Sequence, residues 1–168
     1  MVAREDPVAG TWSGTRDGRR RGLIAYFDAS ALVKLFLDEV DSDLARHVWG
    51  SGVRVTTSRV SHAELACALA AAVRTGRHPR GAVDSEVVDG TFLGERADYI
   101  EADARVVNTA AVVGVRHGLR GVDAIHVASA MQLADFGPML VSWDERQRQA
   151  ARAEGLPVYP ETTTAALR

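Results

Sequence analysis

Short apolar runs alternate with helix-like segments along this chain, and this alternation limits the fold more than any other feature. Strand-forming runs occur as LIAYF, VRVTT, PMLVSW and LPVYP, with a weaker one in ADYIEA. The segments between them predict helices over residues 31–37, 42–50, 61–74, 104–117, 123–134 and 144–155, and another ending near residue 92. Strands joined by helices form parallel sheets covered on both faces. We therefore predict a three-layer α/β/α fold with a central, mostly parallel sheet of four to five strands.

The domain organisation follows from length and pattern. A chain of 168 residues is long enough for one domain with its own core. Residues 1–21 are rich in Gly, Ser, Thr, Asp and Arg and have no helical or strand periodicity. We expect a disordered N-terminal extension there, followed by a single domain over residues 22–168.

The composition indicates the general class of protein but not its function. The chain is 46% hydrophobic and 25% charged, as ordinary globular proteins are. Its net charge of −2 does not exclude nucleic acid, because an acidic site and a basic rim cancel in the sum. The longest uncharged apolar stretch, LACALAAAV, is roughly half the length of a membrane-spanning helix, and no signal-peptide pattern precedes it. We expect a cytoplasmic protein, with the lone Cys67 buried in that stretch and unreactive.

Four acidic residues stand next to apolar stretches, each at or near the start of helix-like sequence. They are Asp28, Glu64, Asp123 and Asp144. Burying a carboxylate is unfavourable unless something pairs with it, and a shared hard cation such as Mg²⁺ suits several carboxylates at once. In open α/β sheets ligands bind beyond the carboxyl ends of the strands, where Asp28 and Asp144 fall. The pattern predicts a metal-dependent nuclease.

Each acid also has a structural explanation. Asp28 and Asp123 could each cap the helix that follows, and Asp144 with Gln147 fits a capping box. Glu64 could reach back to the Ser61 amide in the same way. For a single acid the cap is the better explanation, but caps do not require two acids directly after buried strands. A helix N-terminus also tolerates a carboxylate, so both roles are compatible.

Four segments together carry a family resemblance. In chain order they are YFDASALVKLFLDE, SHAELACAL, VDAIHVASA and LVSWDERQRQAA. Over about residues 22–160 the chain resembles PIN-domain proteins, specifically the VapC toxins of bacterial toxin–antitoxin pairs. The resemblance implies a PIN-like fold in which all four acids bind Mg²⁺, or Mn²⁺ in its place, and serve as catalytic residues. It also implies supporting hydroxyls at Ser30 and Ser142, the latter standing where the family more often has Thr. Trp143 is a less usual residue before the last acid.

The same resemblance implies a function and partners. The expected activity is Mg²⁺-dependent endoribonuclease cleavage of RNA by a toxin that is a homodimer and is neutralised by a VapB-like antitoxin. Two alternatives remain open. One is a catalytically inactive PIN-like module that binds RNA or a partner. The other, ranked lower, is a haloacid-dehalogenase-like phosphatase, which would need a second Asp where this chain has Ser30.

Basic residues and one histidine near the acids have weaker interpretations. Arg59, Arg146 and Arg148 flank the acidic segments and are candidate RNA-phosphate contacts, although a solvated salt-bridging face is the default for such residues. His126 follows Asp123 by three positions, and packing with hydrogen bonding is favoured over a ligand or proton-transfer role.

Overall fold

Five parallel strands form one sheet at the centre of the molecule. The computed structural model describes residues 23–77, 87 and 90–162. The strands are Ile24–Phe27 (β1), Arg54–Ser58 (β2), Asp98–Ile100 (β3), Pro138–Val141 (β4) and Val158–Tyr159 (β5). Their order is β3-β2-β1-β4-β5, and every neighbouring pair is parallel. The predicted parallel sheet is confirmed, and every strand expected from the apolar runs is present.

Seven α-helices flank the sheet within the described ranges. They are Ala29–Phe36 (α1), Ser42–Gly50 (α2), Val60–Arg74 (α3), Thr91–Arg96 (α4), Ala104–His117 (α5), Gly121–Met131 (α6) and Glu145–Ala153 (α7). The predicted helix 123–134 is shifted, because α6 begins at Gly121 and is followed by a separate 3₁₀ turn, Ala134–Phe136. Most of the helix expected before residue 92 lies outside the described residues, and α4 continues past that position to Arg96. The expected N-terminal extension lies wholly outside them.

Alternating side chains of β1 separate the two cores. Ala25 and Phe27 join the cluster that includes residues of α1 to α4, whereas Tyr26 joins the cluster of α5 to α7. All four residues of β1 are buried, as expected for a central strand covered by helices on both faces. This arrangement is the predicted three-layer α/β/α architecture.

The order of the strands creates a switch point between β1 and β4. The chain moves outward from β1 through β2 to β3, and then returns to place β4 on the other side of β1. Phe27 pairs with Val141, so the residues that follow these two strands emerge side by side. Such a crevice at the carboxyl ends of neighbouring strands is the usual ligand site in open α/β sheets.

One expectation about the core is wrong. Cys67 is exposed, although it stands in the apolar run LACALAAAV. The buried face of α3 is formed by Leu65, Leu69 and Ala72, which follow helical spacing, and Cys67 falls between them on the outer side. Separately, no helix in the described ranges is long and apolar enough to cross a membrane.

Candidate active site

Asp28 is a fully buried carboxylate at the carboxyl end of β1. Its Oδ1 accepts hydrogen bonds from the Ser30 hydroxyl at 2.7 Å and from the Ala31 amide at 2.9 Å. Its Oδ2 accepts from the Ser142 hydroxyl at 2.6 Å and, at 3.0 Å, from Ser30. Burial raises the pKa of Asp28, while the charge of His126 and these hydrogen bonds act in the opposite direction. Asp28 therefore caps α1, as the structural explanation required, and is also a buried acid held by neutral donors.

Ser142 connects the first acid to the last. Its hydroxyl donates to Asp28 and accepts from the backbone N–H of Asp144 at 3.0 Å. Asp144 caps α7, since its Oδ1 accepts from the Gln147 amide at 2.9 Å. Trp143, between them, is fixed because its backbone N–H donates to the Ser30 hydroxyl at 2.8 Å. Trp143 is thus accommodated while Ser142 still links Asp144 to Asp28 at the end of β1.

Asp123 lies in the first turn of α6, where it is not the helix cap that the sequence allowed, because the N-cap position belongs to Arg120. The amide of Gln147, a buried side chain of α7, lies 3.5 Å from Asp123 Oδ1. Burial raises the pKa of Asp123, and repulsion from Asp144 raises it further, while Arg120 opposes the shift. Asp123 and Asp144 are therefore electrostatic neighbours across two helices.

Glu64 lies in α3 and does not form the capping box that its spacing suggested. The helix begins at Val60, and Glu64 Oε2 instead contacts His126 Nε2 at 2.7 Å. His126 is 1% exposed, and its Nδ1 lies 3.0 Å from the Tyr26 hydroxyl. The favoured sequence interpretation of His126, packing with hydrogen bonding, matches this geometry, but its two partners were not foreseen.

The four acids have the right chemistry for a hard cation, but their present arrangement does not form a metal site within the described ranges. In the described ranges, no three His, Cys, Asp or Glu side chains surround one point that could hold a metal ion. Among the described residues, Asp28 forms no ion pair with Lys or Arg, and the groups that donate hydrogen bonds to it are neutral. Two of the four acids have raised pKa values, so added positive charge here would be favourable. Carboxylate oxygens are also the ligands that Mg²⁺ and Mn²⁺ prefer.

A pocket of about 540 Å³ opens beside the acids, between α1 and α3. Ser30 and Glu64 line it, together with Cys67, Trp143 and Lys34, the single lysine of the chain. The Lys34 ammonium donates to the Val40 carbonyl at 2.7 Å and lies 5.4 Å from the centre of the Trp143 ring. This pocket is not predictable from the sequence, because its lining comes from segments that are distant in the chain.

The three candidate RNA-contacting arginines have different environments. Arg59 is half-exposed, but its guanidinium is paired with Glu101 at 2.7 Å and stacks over Tyr99, as expected of a salt-bridging face. Arg146 is exposed on α7, two positions after the capping residue Asp144.

The placement of Arg148 at an RNA-binding surface is corrected. Its side chain is 1% exposed, and its guanidinium donates to Glu145 and, at 3.5 Å, to the Pro160 carbonyl. The buried face of α7 comprises Gln147, Arg148, Ala150 and Ala151, which turns this cation toward the protein interior. As placed, Arg148 is not available to a phosphate.

Comparisons with known proteins identify the family to which this fold belongs. The PIN domain family matches residues 25–153 of the chain. The ribonuclease VapC45 of Mycobacterium tuberculosis (strain CDC 1551 / Oshkosh) is 36% identical over 143 residues, which is 82% of this chain and 95% of that protein.

Two solved structures share the fold at low sequence identity. FitAcB from Neisseria gonorrhoeae matches with a TM-score of 0.57 at 17% identity, covering 80% of this chain and 96% of that one. A toxin–antitoxin complex from Klebsiella pneumoniae matches with a TM-score of 0.50 at 18% identity, covering 71% and 86%. The family match covers residues 25–153, and VapC45 is 36% identical over 82% of the chain. The chain therefore belongs to the PIN domain family and is a homologue of the VapC ribonuclease toxins of VapBC toxin–antitoxin systems.

Proposed function

We propose that this protein is a Mg²⁺-dependent endoribonuclease that hydrolyses RNA phosphodiester bonds as the toxin of a VapBC-type pair. The observation that carries the proposal is the fully buried carboxylate of Asp28 at the β1–β4 switch point, with no cationic side chain paired to it among the described residues. Asp144 follows the adjacent strand, and Asp123 is repelled by it. PIN nucleases are generally metal-dependent, which supports the same interpretation.

The residues that would hold the cation are Asp28, Glu64, Asp123 and Asp144. Because no three of these groups surround one point at present, the proposal requires some of these side chains to move toward the ion when it binds. A divalent cation supplies positive charge to the scissile phosphate and acidifies water at neutral pH.

The protein's own groups would orient this chemistry. Ser30 and Ser142 hold the Asp28 carboxylate through three hydrogen bonds, which restricts its rotation. Ser142 also fixes the backbone of Asp144. Arg146, exposed two positions after the last acid, would contact a flanking RNA phosphate.

The direct test is cleavage of total bacterial RNA by the purified protein, with Mg²⁺ or with EDTA. Asp28→Asn is compared with Asp103→Asn, because Asp103 also caps a helix by accepting from an amide at 2.9 Å but is exposed. Discrete fragments that require both the metal and Asp28, and persist in the Asp103 variant, are expected. Intact RNA with a folded protein free of antitoxin would refute the nuclease.

One observation favours a second candidate, a PIN-like module that binds RNA or a partner without cutting. The side chains of the four acids do not converge on one point within the described ranges. This module would bind RNA tightly in gel-shift assays without turnover at any cation concentration. Tight binding together with intact RNA would therefore select this alternative.

We also propose two protein partners. A solved toxin–antitoxin complex shares the fold, which supports a VapB-like antitoxin as one partner. This antitoxin would place a basic side chain against the acids, because their negative charge attracts it. Purifying the tagged protein from its native host should yield a small bound protein whose removal activates cleavage. A second copy of the chain would cover part of α5, where Val115 is 88% exposed and Val107 46%.

A further inference from the structure

A continuous polar chain runs from the middle of the sheet to Glu64. Tyr26 in β1 is 0% exposed, His126 in α6 is 1% exposed, and the Glu64 side chain in α3 is 28% exposed. The Tyr26 hydroxyl lies 3.0 Å from His126 Nδ1, and His126 Nε2 lies 2.7 Å from Glu64 Oε2. These residues are 100 and 62 positions apart in the chain, so three elements meet to build the contact.

The carboxylate fixes the direction of one of these hydrogen bonds. A carboxylate only accepts, so His126 Nε2 carries a proton and donates it to Glu64. His126 Nδ1 and the Tyr26 hydroxyl, 3.0 Å apart, form the second hydrogen bond. Each ring nitrogen of the buried histidine is thereby satisfied.

Packing alone does not account for this chain. An apolar residue in place of His126 would fill the space between Tyr26 and α3 without a buried imidazole that must be hydrogen-bonded on both sides. The hydrogen bond to Glu64 does something that packing cannot, because it holds one carboxylate oxygen of a partly exposed side chain in one place. Ligating carboxylates in metal sites are usually held by such neighbours.

We propose that His126 and Tyr26 are positioning residues that orient the Glu64 carboxylate for a divalent cation. This inference rests on the proposed function, since it takes Glu64 to be a ligand. His126 donates to Glu64, and Tyr26 fixes the orientation of the imidazole ring. Neither side chain touches the cation or the RNA.

The test measures cation affinity rather than cleavage. Mn²⁺ binding to the full chain is followed by the loss of the free-ion signal in electron paramagnetic resonance. His126→Leu should weaken binding about tenfold or more, the usual range for such supporting residues, and Tyr26→Phe should weaken it by a smaller factor. His126→Gln, whose amide can still donate toward Glu64, should recover most of the affinity. Tyr99→Phe is the matched control, because Tyr99 belongs to the Arg59 stack and should leave the affinity unchanged.

A double-mutant comparison separates positioning from general damage. If His126 acts through Glu64, His126→Leu should have no further effect on Mn²⁺ affinity in a Glu64→Ala background. Urea unfolding of each variant shows that the affinity is measured on folded protein. Should His126→Leu prove unfolded, Tyr26→Phe and His126→Gln still test the chain of contacts.

The outcomes distinguish this inference from the proposed function. Loss of Mn²⁺ binding in Asp28→Asn, with wild-type affinity in His126→Leu and Tyr26→Phe, would overturn the positioning role alone. Equal binding by wild type and Asp28→Asn would overturn the cation site itself. Equal weakening by His126→Leu and His126→Gln would also refute positioning, because it would show that the donor to Glu64 is not what matters.

Discussion

Removing the charge from two of the acids should abolish stabilisation by Mg²⁺. In the double variant Asp28→Asn/Asp123→Asn, both side chains keep their size, and Asn can retain the cap that Asp28 gives α1 by accepting from the Ala31 amide. What disappears is the pair of acids whose pKa values burial and repulsion raise. A cation that binds only the folded state stabilises it by about 2.7 kcal/mol at a concentration about one hundred times its Kd. For a domain of this size, that corresponds to a Tm increase of roughly 5–11 °C.

The pH dependence without metal provides a second measure. Because the folded-state pKa values of Asp28 and Asp123 are raised, the folded protein holds protons that the unfolded chain releases. The contribution of these two acids to the stability of the metal-free wild type is therefore fully present below the ordinary carboxyl pKa and is lost as pH rises through the raised values. The double variant should lack this contribution.

The assay is urea unfolding followed by circular dichroism, with Mg²⁺ or EDTA, across this pH range. Asp103→Asn serves as the control, since it changes an exposed cap of the same geometry and should respond to Mg²⁺ as the wild type does. The same Mg²⁺-induced shift in wild type and double variant would refute the site formed by Asp28 and Asp123.

Four further substitutions test other parts of the structure. Ser142→Ala removes the hydroxyl that donates to the buried Asp28 carboxylate, and should lower the free energy of unfolding by about 1.5–3 kcal/mol in urea melts. Arg148→Met should destabilise the fold by about 1–3 kcal/mol because its guanidinium is buried. Arg146→Gln should leave the Tm unchanged and should reduce the slope of RNA affinity against salt concentration, on logarithmic scales, by about one. Val115→Asp should convert a dimer to a monomer in light-scattering measurements, and an unchanged mass would exclude this face of α5.

The architecture was predictable because it depends on local patterns. Apolar runs and helical spacing located every strand and most helices, and the parallel arrangement follows from their alternation. The same rule placed Asp28 and the residues after β4 at one edge of the sheet, since parallel strands end together. Residue type alone is a poor guide to burial on these helices. The apolar neighbours of Cys67 predict a core residue and the charge of Arg148 predicts a surface residue, yet the position of each on its helix gives it the opposite environment.

The contacts of the site were predictable only in part, for a different physical reason. Ser30 lies two residues from Asp28, so its hydrogen bond is local and could be expected. The Tyr26–His126–Glu64 chain joins three elements across the sheet, and nothing near any of these residues indicates the others. Likewise Gln147 had a foreseeable role as the partner of the Asp144 cap, but its contact with Asp123 depends on how α6 packs on α7.

Helix capping and ligand binding are not competing explanations of Asp28, and the comparison with Asp103 shows why. Both accept a hydrogen bond from the amide three residues later at 2.9 Å, so both are good caps. Asp103 does this while exposed, where its charge remains hydrated, whereas Asp28 does it while fully buried. A cap needs only the side-chain oxygen, which a neutral Asn or Ser would supply without a buried charge. Capping therefore explains why an oxygen is present at residue 28 but leaves the buried charge unexplained, and a cation shared with Asp123 and Asp144 would account for that charge.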